Sequence, residues 1–399
     1  MTLADRPPAA ALVFRTLLAH GPLTRAEVGR RTGLSPGAVT KVATPLLADG
    51  WITELGRPAV EKATGRPATL VAVRAERARL IGVKITGDEL IGVLTDLTAR
   101  PLATRRAELG SRDVGAVVLA VARLVAALRT QAGAGPESTE PEDAEPEDAE
   151  RGGGVHGLGV TVSGDVDGRT GTVAYSPFLD WRRVPLARLV ESATGVPTLI
   201  ENDVRALTVA EQWFGAGVGL SSFALVTVGA GIGAGLSIGG RVVSGARGVA
   251  GEIGHLPVGG GDRVCTCGNT GCVEAVASTH AITDQARRAT GDPGLTMRDA
   301  VRRAHDGDPA VRAVFARAGR AMGRALASVA NLVGPERIII SGEGVASYDL
   351  YADQIRQTFA AHAFGAAADC DILVRPLPFE EWARGGAAVA AQQLFAPGA

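Results

Sequence analysis

Three of the chain's four cysteines, Cys265, Cys267 and Cys272, fall within eight positions, and His255 stands ten residues upstream of the first. Three thiolates and an imidazole complete a Cys3His shell, which closes a tetrahedral zinc ion and leaves no open position for a reactive water. The segment is therefore expected to hold one structural zinc per chain through His255, Cys265, Cys267 and Cys272. Gly268 and Gly271 let the backbone turn tightly enough for sulfurs two and five residues apart to converge. A redox pair inside an accidental cluster is the plainer alternative.

At 399 residues and 46% hydrophobic content, the chain can build two or more cores. Three cysteines in a metal-type cluster and Cys370 alone do not make a disulfide framework, which points to a reducing compartment, the cytoplasm. The opening Met-Thr-Leu-Ala-Asp-Arg-Pro-Pro lacks a charged-then-apolar signal pattern, and the most apolar run, Val117 to Leu128, is broken by Arg123. No membrane partner is expected. Net charge is -1, yet residues 1–75 carry ten basic side chains against five acidic ones, so this head is +5 and the remainder -6. A small basic head on a large acidic body suggests a polyanion for the head.

Within the head, Thr24-Arg25-Ala26-Glu27 is a capping box that starts a helix, and Gly33 is a left-handed cap that ends it. Ser35-Pro36 opens the next helix with a capping hydroxyl followed by proline at the first position. With a preceding helix around Val13 to Ala19, this is a helix-turn-helix. In the helix over 36–48, Val39, Val42, Ala43 and Leu46 share an inner face. Gly37, Thr40, Lys41 and Thr44 share a small polar outer face, suited to a major groove with Ser35 on phosphate. Pro45 is expected to bend this helix after Lys41.

Trp51 to Glu54 and Thr69 to Val73 read as strands framing a basic wing. Its Gly56-Arg57-Pro58 and Gly65-Arg66-Pro67 triplets hold Arg57 and Arg66 in extended backbone fit for a narrow minor groove. Neither triplet has a preceding arginine, so the match to an Arg-Gly-Arg-Pro hook is partial; a solvated hairpin tip is the alternative. Residues 1–75 thus read as a winged helix-turn-helix for double-stranded DNA.

From residue 79 to 399 the pattern is that of an α/β body. Strands are expected over 80–85, 90–96, 155–162, 223–228 and 337–341, with a helix capped by Asp113 and a long helix from Asp308-Pro309 to Leu332. Between Gly133 and Gly154 lies a direct repeat of Pro-Glu-Asp-Ala-Glu, with eight acidic residues and no basic ones from Glu137 to Glu150. It reads as a disordered acidic insertion at about 133–154. The Gly229 to Gly235 loop and Ser341-Gly342-Glu343-Gly344 place bare backbone at strand ends, where a ligand can approach. Such an alternation suits a two-lobed body with a cleft.

Cys-x-Cys-Gly-x-x-Gly-Cys-x-Glu at 265–274, Gly251-Glu252-Ile253-Gly254-His255 and the 229–235 glycine loop together resemble the ROK family (repressor, open reading frame, kinase), over nearly the whole chain. The resemblance implies an actin-like pair of lobes, and the basic head makes the chain similar to the family's sugar-responsive winged-helix repressors. It also implies sugar contacts from Asn202, Asp203, Glu252, His255 and Glu274, whose carboxylates and amide suit hydroxyl groups. Gly164, after strand 155–162, is a further candidate. His255 would give one ring nitrogen to zinc and the other to a hydroxyl. In the family's kinases Asp203 would be the general base, but their Asp-x-Gly-Gly-Thr phosphate loop is replaced here by Lys84-Ile85-Thr86-Gly87-Asp88, and Ala230 stands where they tend to carry threonine. Asp203 is accordingly expected to be a vestigial base, and the chain no enzyme.

The combined expectation is a homodimeric or homotetrameric repressor of carbohydrate-metabolism genes. It would bind a pseudo-palindromic operator under control of a sugar or sugar phosphate. The rival readings are an ATP-dependent sugar kinase with a regulatory head, and a regulator whose signal is a protein.

Overall fold

The computed structural model describes residues 6–55, 69–133, 154–258 and 263–394. The wing arginines Arg57 and Arg66 and the acidic repeat lie outside the described residues. The chain divides into two units, residues 1–219 with 380–399, and residues 220–379.

In the first unit, α1 (Pro8–His20), α2 (Arg25–Thr32) and α3 (Pro36–Ala48) form the helical part of the head. The capping box at Thr24 and Glu27, the left-handed Gly33 and the Ser35 cap are all present. Pro45 lies inside α3 and does not end it: the helix runs on to Ala48. β1 (Leu23–Thr24), β2 (Ile52–Leu55) and β3 (Leu70–Val73) form an antiparallel sheet in the order β1-β3-β2, so the two strands framing the wing pair as expected.

The head does not close its core alone. Phe14, Leu17, Leu46 and Trp51 share one buried cluster with Leu80, Leu97, Trp213, Ala387 and Ala390 from the rest of the first unit. Burying these side chains against one another ties the head to that unit by the same hydrophobic effect that folds it.

The remainder of the first unit is built on β4 (Arg79–Ile85), β5 (Glu89–Asp96), β6 (Pro101–Glu108), β7 (Val155–Val162) and, beyond the small meander β8 (Asp165–Asp167), β9 (Thr172–Ser176) and β10 (Trp181–Val184), β11 (Thr198–Asn202). The main sheet runs β6-β5-β4-β7-β11, with β4, β7 and β11 parallel and β5 and β6 antiparallel. α4 (Val114–Gly133) covers one face, where Val117, Val121, Leu124, Val125 and Leu128 recur at helical spacing in the core. Its stretch Val114–Gln131 is the one helix among the described residues long and apolar enough to cross a membrane, and its apolar stripe is packed into this core. α5 (Leu186–Thr194) joins the same cluster, while α6 (Asp203–Phe214) and the C-terminal helix Glu381–Gln393 lie on the sheet's other side. A Cβ at Gly159 would stand 1.9 Å from the Gly386 carbonyl oxygen, so glycine is what lets that last helix lie directly on the strands.

The second unit repeats the plan. β12 (Ser222–Val228), β13 (Ile232–Ile238), β14 (Arg241–Val242), β15 (Arg337–Ser341) and β16 (Asp371–Val374) form a sheet in the order β14-β13-β12-β15-β16. In both five-stranded sheets the first three strands form a meander, and the next two add in parallel on the side of the first. The one-turn α7 (Glu274–Ala277), α8 (Thr279–Thr290), α9 (Met297–His305), α10 (Pro309–Val333) and α11 (Ala352–His362) complete this unit, and α12 is the C-terminal Glu381–Gln393. The glycine loop is shorter than its sequence implies: Ile232 onward is strand, so only Gly229 to Gly231 turn freely.

Candidate functional site

On α3, Val39, Ala43 and Leu46 are buried and Val42 half-buried, whereas Ser35, Gly37, Thr40, Lys41 and Thr44 are all exposed. Thr40 Oγ1 donates to the Pro36 carbonyl at 3.0 Å and Thr44 Oγ1 to the Thr40 carbonyl at 2.9 Å. Their hydroxyl protons are used by the helix, which leaves acceptor lone pairs and the Lys41 ammonium as the outward chemistry of this face.

The first unit brings together Lys84 at the end of β4, Ser163 after β7 and Asp203 at the start of α6. The Lys84 ammonium is ion-paired with the Asp203 carboxylate and donates to Ser163 Oγ at 2.9 Å, and Ser163 Oγ donates to Asp203 Oδ2 at 2.6 Å. Asp203 Oδ1 accepts the Val204 amide at 2.9 Å. Burial disfavours its charge, but the Lys84 charge and the donated hydrogen bonds outweigh that, so its pKa lies below the ordinary carboxylate value. The indole of Trp382 lies 5.8 Å from Lys84 Nζ. A carboxylate held this way accepts hydrogen bonds well and takes a proton poorly.

Asn202 has a structural occupation. Its Oδ1 caps α6 by accepting from the Val204 and Arg205 amides at 3.0 and 3.1 Å, and its Nδ2 donates to the Gly164 carbonyl at 2.9 Å. One N–H remains for a ligand. Gly164, at φ +123°, has no room for a Cβ, which would stand 2.3 Å from the Tyr175 carbonyl oxygen.

In the second unit the four metal-type residues converge. One ligand atom each of His255, Cys265, Cys267 and Cys272 all lie within 4.8 Å of one another. Cys267 Sγ and Cys272 Sγ are 3.7 Å apart, and Cys265 Sγ and His255 Nδ1 are 3.5 Å apart. Zinc bonds of about 2.3 Å to sulfur and about 2.0 Å to nitrogen give tetrahedral edges of roughly 3.8 and 3.5 Å. The donor set and its spacing fit that ion. Gly268 and Gly271 both take positive φ, at +88° and +75°, as the turn requires. The Asn269 amide brings the Cys267 thiol down to about 7, while burial pushes Cys272 up to about 12. His255 Nε2, the nitrogen away from Cys265, lies 3.9 Å from Glu252 Oε2. Glu274 Oε2 accepts the Ile232 amide at 3.1 Å and its Oε1 accepts from Thr266 Oγ1 at 3.3 Å.

Sequence reading missed one carboxylate. Glu343 follows β15, and its Oε1 accepts the Ala230 amide at 2.8 Å. A Cβ on Gly229 would stand 2.0 Å from that oxygen. The amide-lined turn that suits a phosphate is thus capped from within by an acid. The signal was present as an acidic residue inside Ser341-Gly342-Glu343-Gly344, but which loop it would meet depended on β12 and β15 lying side by side.

A helix-turn-helix head with a small antiparallel sheet, two five-stranded sheets of the same strand order and a Cys3His cluster define the class of regulators built on an actin-like, sugar-kinase fold. The chain belongs to the ROK family, whose model matches residues 145–393. It is 25% identical to the xylose repressor of Caldicellulosiruptor bescii, over 88% of this chain and 87% of that protein. To the DNA-binding transcriptional dual regulator NagC of Escherichia coli K12 it is 28% identical, over 84% and 80%. Among solved structures, a ROK family transcriptional regulator described as a homolog of the E. coli MLC protein superposes with a TM-score of 0.77 at 26% identity, over 97% of this chain and 96% of that one. A ROK glucokinase from Streptomyces griseus, solved with glucose and AMPPNP, gives 0.64 at 28% identity over 79% and 100%.

Proposed function

We propose that the chain is a DNA-binding transcriptional repressor of carbohydrate-metabolism genes whose hold on its operator is set by a sugar or sugar phosphate. The observation that carries this reading is the head. It is a complete helix-turn-helix with an exposed polar recognition face, and the likeness to a ROK transcriptional regulator extends over 97% of the chain, against 79% for the glucokinase. Ser35, Gly37, Thr40, Lys41 and Thr44 would face a major groove, with Arg57 and Arg66 of the wing toward the minor groove. Residues 1–75 would serve as the DNA-binding domain and 79–399 as the sugar-binding body, in a homodimer or homotetramer matched to a pseudo-palindromic operator.

Asn202, Asp203 and Gly164 of the first unit, and Glu252, His255 and Glu274 of the second, are the proposed sugar contacts. His255 would present Nε2 to a hydroxyl while Nδ1 binds zinc, which fixes the imidazole's tautomer. Zinc on His255, Cys265, Cys267 and Cys272 would be structural, holding the 255–274 segment in shape and supplying no reactive water.

The chain is read as a non-enzyme on two supports. Lys84 occupies the place of the phosphate-loop acid and neutralises Asp203, and Glu343 takes the Ala230 amide, putting a negative charge where a nucleotide phosphate would sit.

The test is binding of the purified protein to DNA upstream of its own and neighbouring genes, at fixed salt with excess competitor DNA and a panel of sugars and sugar phosphates. Competitor-resistant binding released by one of them is expected. Absence of specific binding, together with ATP-dependent phosphorylation of a hexose or pentose, would replace this reading with the kinase.

A further inference from the structure

Beside the metal cluster, the second unit holds a cavity of about 630 Å³ with three arginines in its wall: Arg263 on the cysteine segment, Arg288 on α8 and Arg317 on α10. None of the three makes an ion pair among the described residues.

One guanidinium is held in place by the core. Gln285 is 2% exposed, and its Nε2 donates to the carbonyls of Val276 and Ala281 at 2.8 and 3.0 Å. This fixes its Oε1 toward the cavity, where it accepts from Arg317 Nη1 at 3.0 Å. The start of α8 lies in the same wall, adding the positive end of a 12-residue helix. Two carboxylates also lie in the wall: Glu274, which accepts from the Ile232 amide and the Thr266 hydroxyl, and Asp284, which is ion-paired with Arg287 at 3.3 Å.

We propose that this cavity is a binding site for a small phosphate monoester, whose phosphoryl group is gripped by Arg263, Arg288 and Arg317. Guanidinium forks match phosphate oxygens in pairs, and three guanidinium groups lining one cavity favour a dianion. The volume suits a molecule of sugar-phosphate size. The cavity shares Glu274 with the sugar contacts proposed above, so the inference rests in part on that reading, while the three arginines are not among those contacts.

Isothermal titration of the full chain with glucose 6-phosphate, inorganic phosphate and glucose, at ionic strength matched with chloride, tests it. Both phosphates are expected to bind once per chain. Arg263→Gln and Arg317→Gln should each weaken binding about tenfold, the scale of one charged hydrogen-bonding group. Arg288→Gln, at an exposed position where folding is not at stake, should weaken it in the same direction, while Arg356→Gln on α11, outside the cavity, should leave it unchanged. Heats no greater than those of chloride, or an Arg356→Gln loss equal to that of Arg317→Gln, would overturn the site. Glucose binding without phosphate binding overturns it and spares the sugar reading; phosphate binding that falls in the three arginine variants supports it whether or not glucose binds, and leaves the sugar reading to the panel of sugars.

Discussion

Asp203 and Trp213 stand at opposite ends of one helix, α6, separated by ten residues or about 15 Å of helical rise. Asp203 is paired with Lys84 at one end, and Trp213 is part of the buried cluster of the head at the other, with the Arg15 guanidinium 5.6 Å from its ring. A rigid rod joins the proposed sugar contact to the head proposed to bind DNA, so a ligand that shifts α6 must also shift what packs on Trp213.

Arg15→Ala removes that contact from the exposed side of α1 without opening the core. Sugar binding measured by thermal shift should be retained, and the fold-release of operator DNA by sugar should fall several-fold, within the 5–150-fold range typical of such couplings. Unchanged release would remove the α1 contact from the signal path.

Lys41→Ala should weaken operator binding and lower the slope of log affinity against log salt by about one if the ammonium meets a phosphate. If it meets a base edge, the slope stays and sequence preference relaxes. Affinity that does not change at fixed salt would show that α3 is not the helix in the groove.

Lys84→Met leaves the Asp203 carboxylate buried without its cation, a change of about 3–5 kcal/mol when one partner of a buried pair is removed. Because the folded pKa of Asp203 is lowered, its stabilisation is present above the unfolded value of about 3.9 and is lost as pH falls through the folded value. Urea unfolding at pH 7 should show the variant much less stable than wild type, with the gap narrowing toward pH 4 as the unpaired carboxyl protonates. Equal midpoints at pH 7 would mean that the pair contributes nothing.

Cys267→Ser should lower bound zinc from about one per chain and reduce the melting temperature, as should a strong chelator on the native protein. Elemental analysis finding no metal in native protein would end the zinc assignment.

Much of the head was legible because its signals are local. Thr24 and Glu27, Gly33, and Ser35 with Pro36 act within one or two turns, and the structure places a cap at each. Strand β7 (155–162) and strand β15 (337–341) were legible as apolar runs bounded by turn residues. β6 was not, because it is an edge strand of mostly exposed polar residues with no apolar alternation to read. Nor was the end of the glycine loop at Ile232, since pairing with β12 turns Gly233 to Gly235 into strand against their own weak propensity.

The spacing of three cysteines and a histidine, the caps of the head and the lysine in place of an acid were determined by the sequence, since each depends on residue identity and near neighbours. That Lys84 pairs with Asp203, 119 positions away, that Glu343 closes on the Ala230 amide, and that Gln285 aims Arg317 were decided only by the tertiary structure. Those partners lie on, or in the loops just beyond, strands and helices whose arrangement is set by burial of whole faces, and no local pattern records which polar side chains that packing brings within reach of one another.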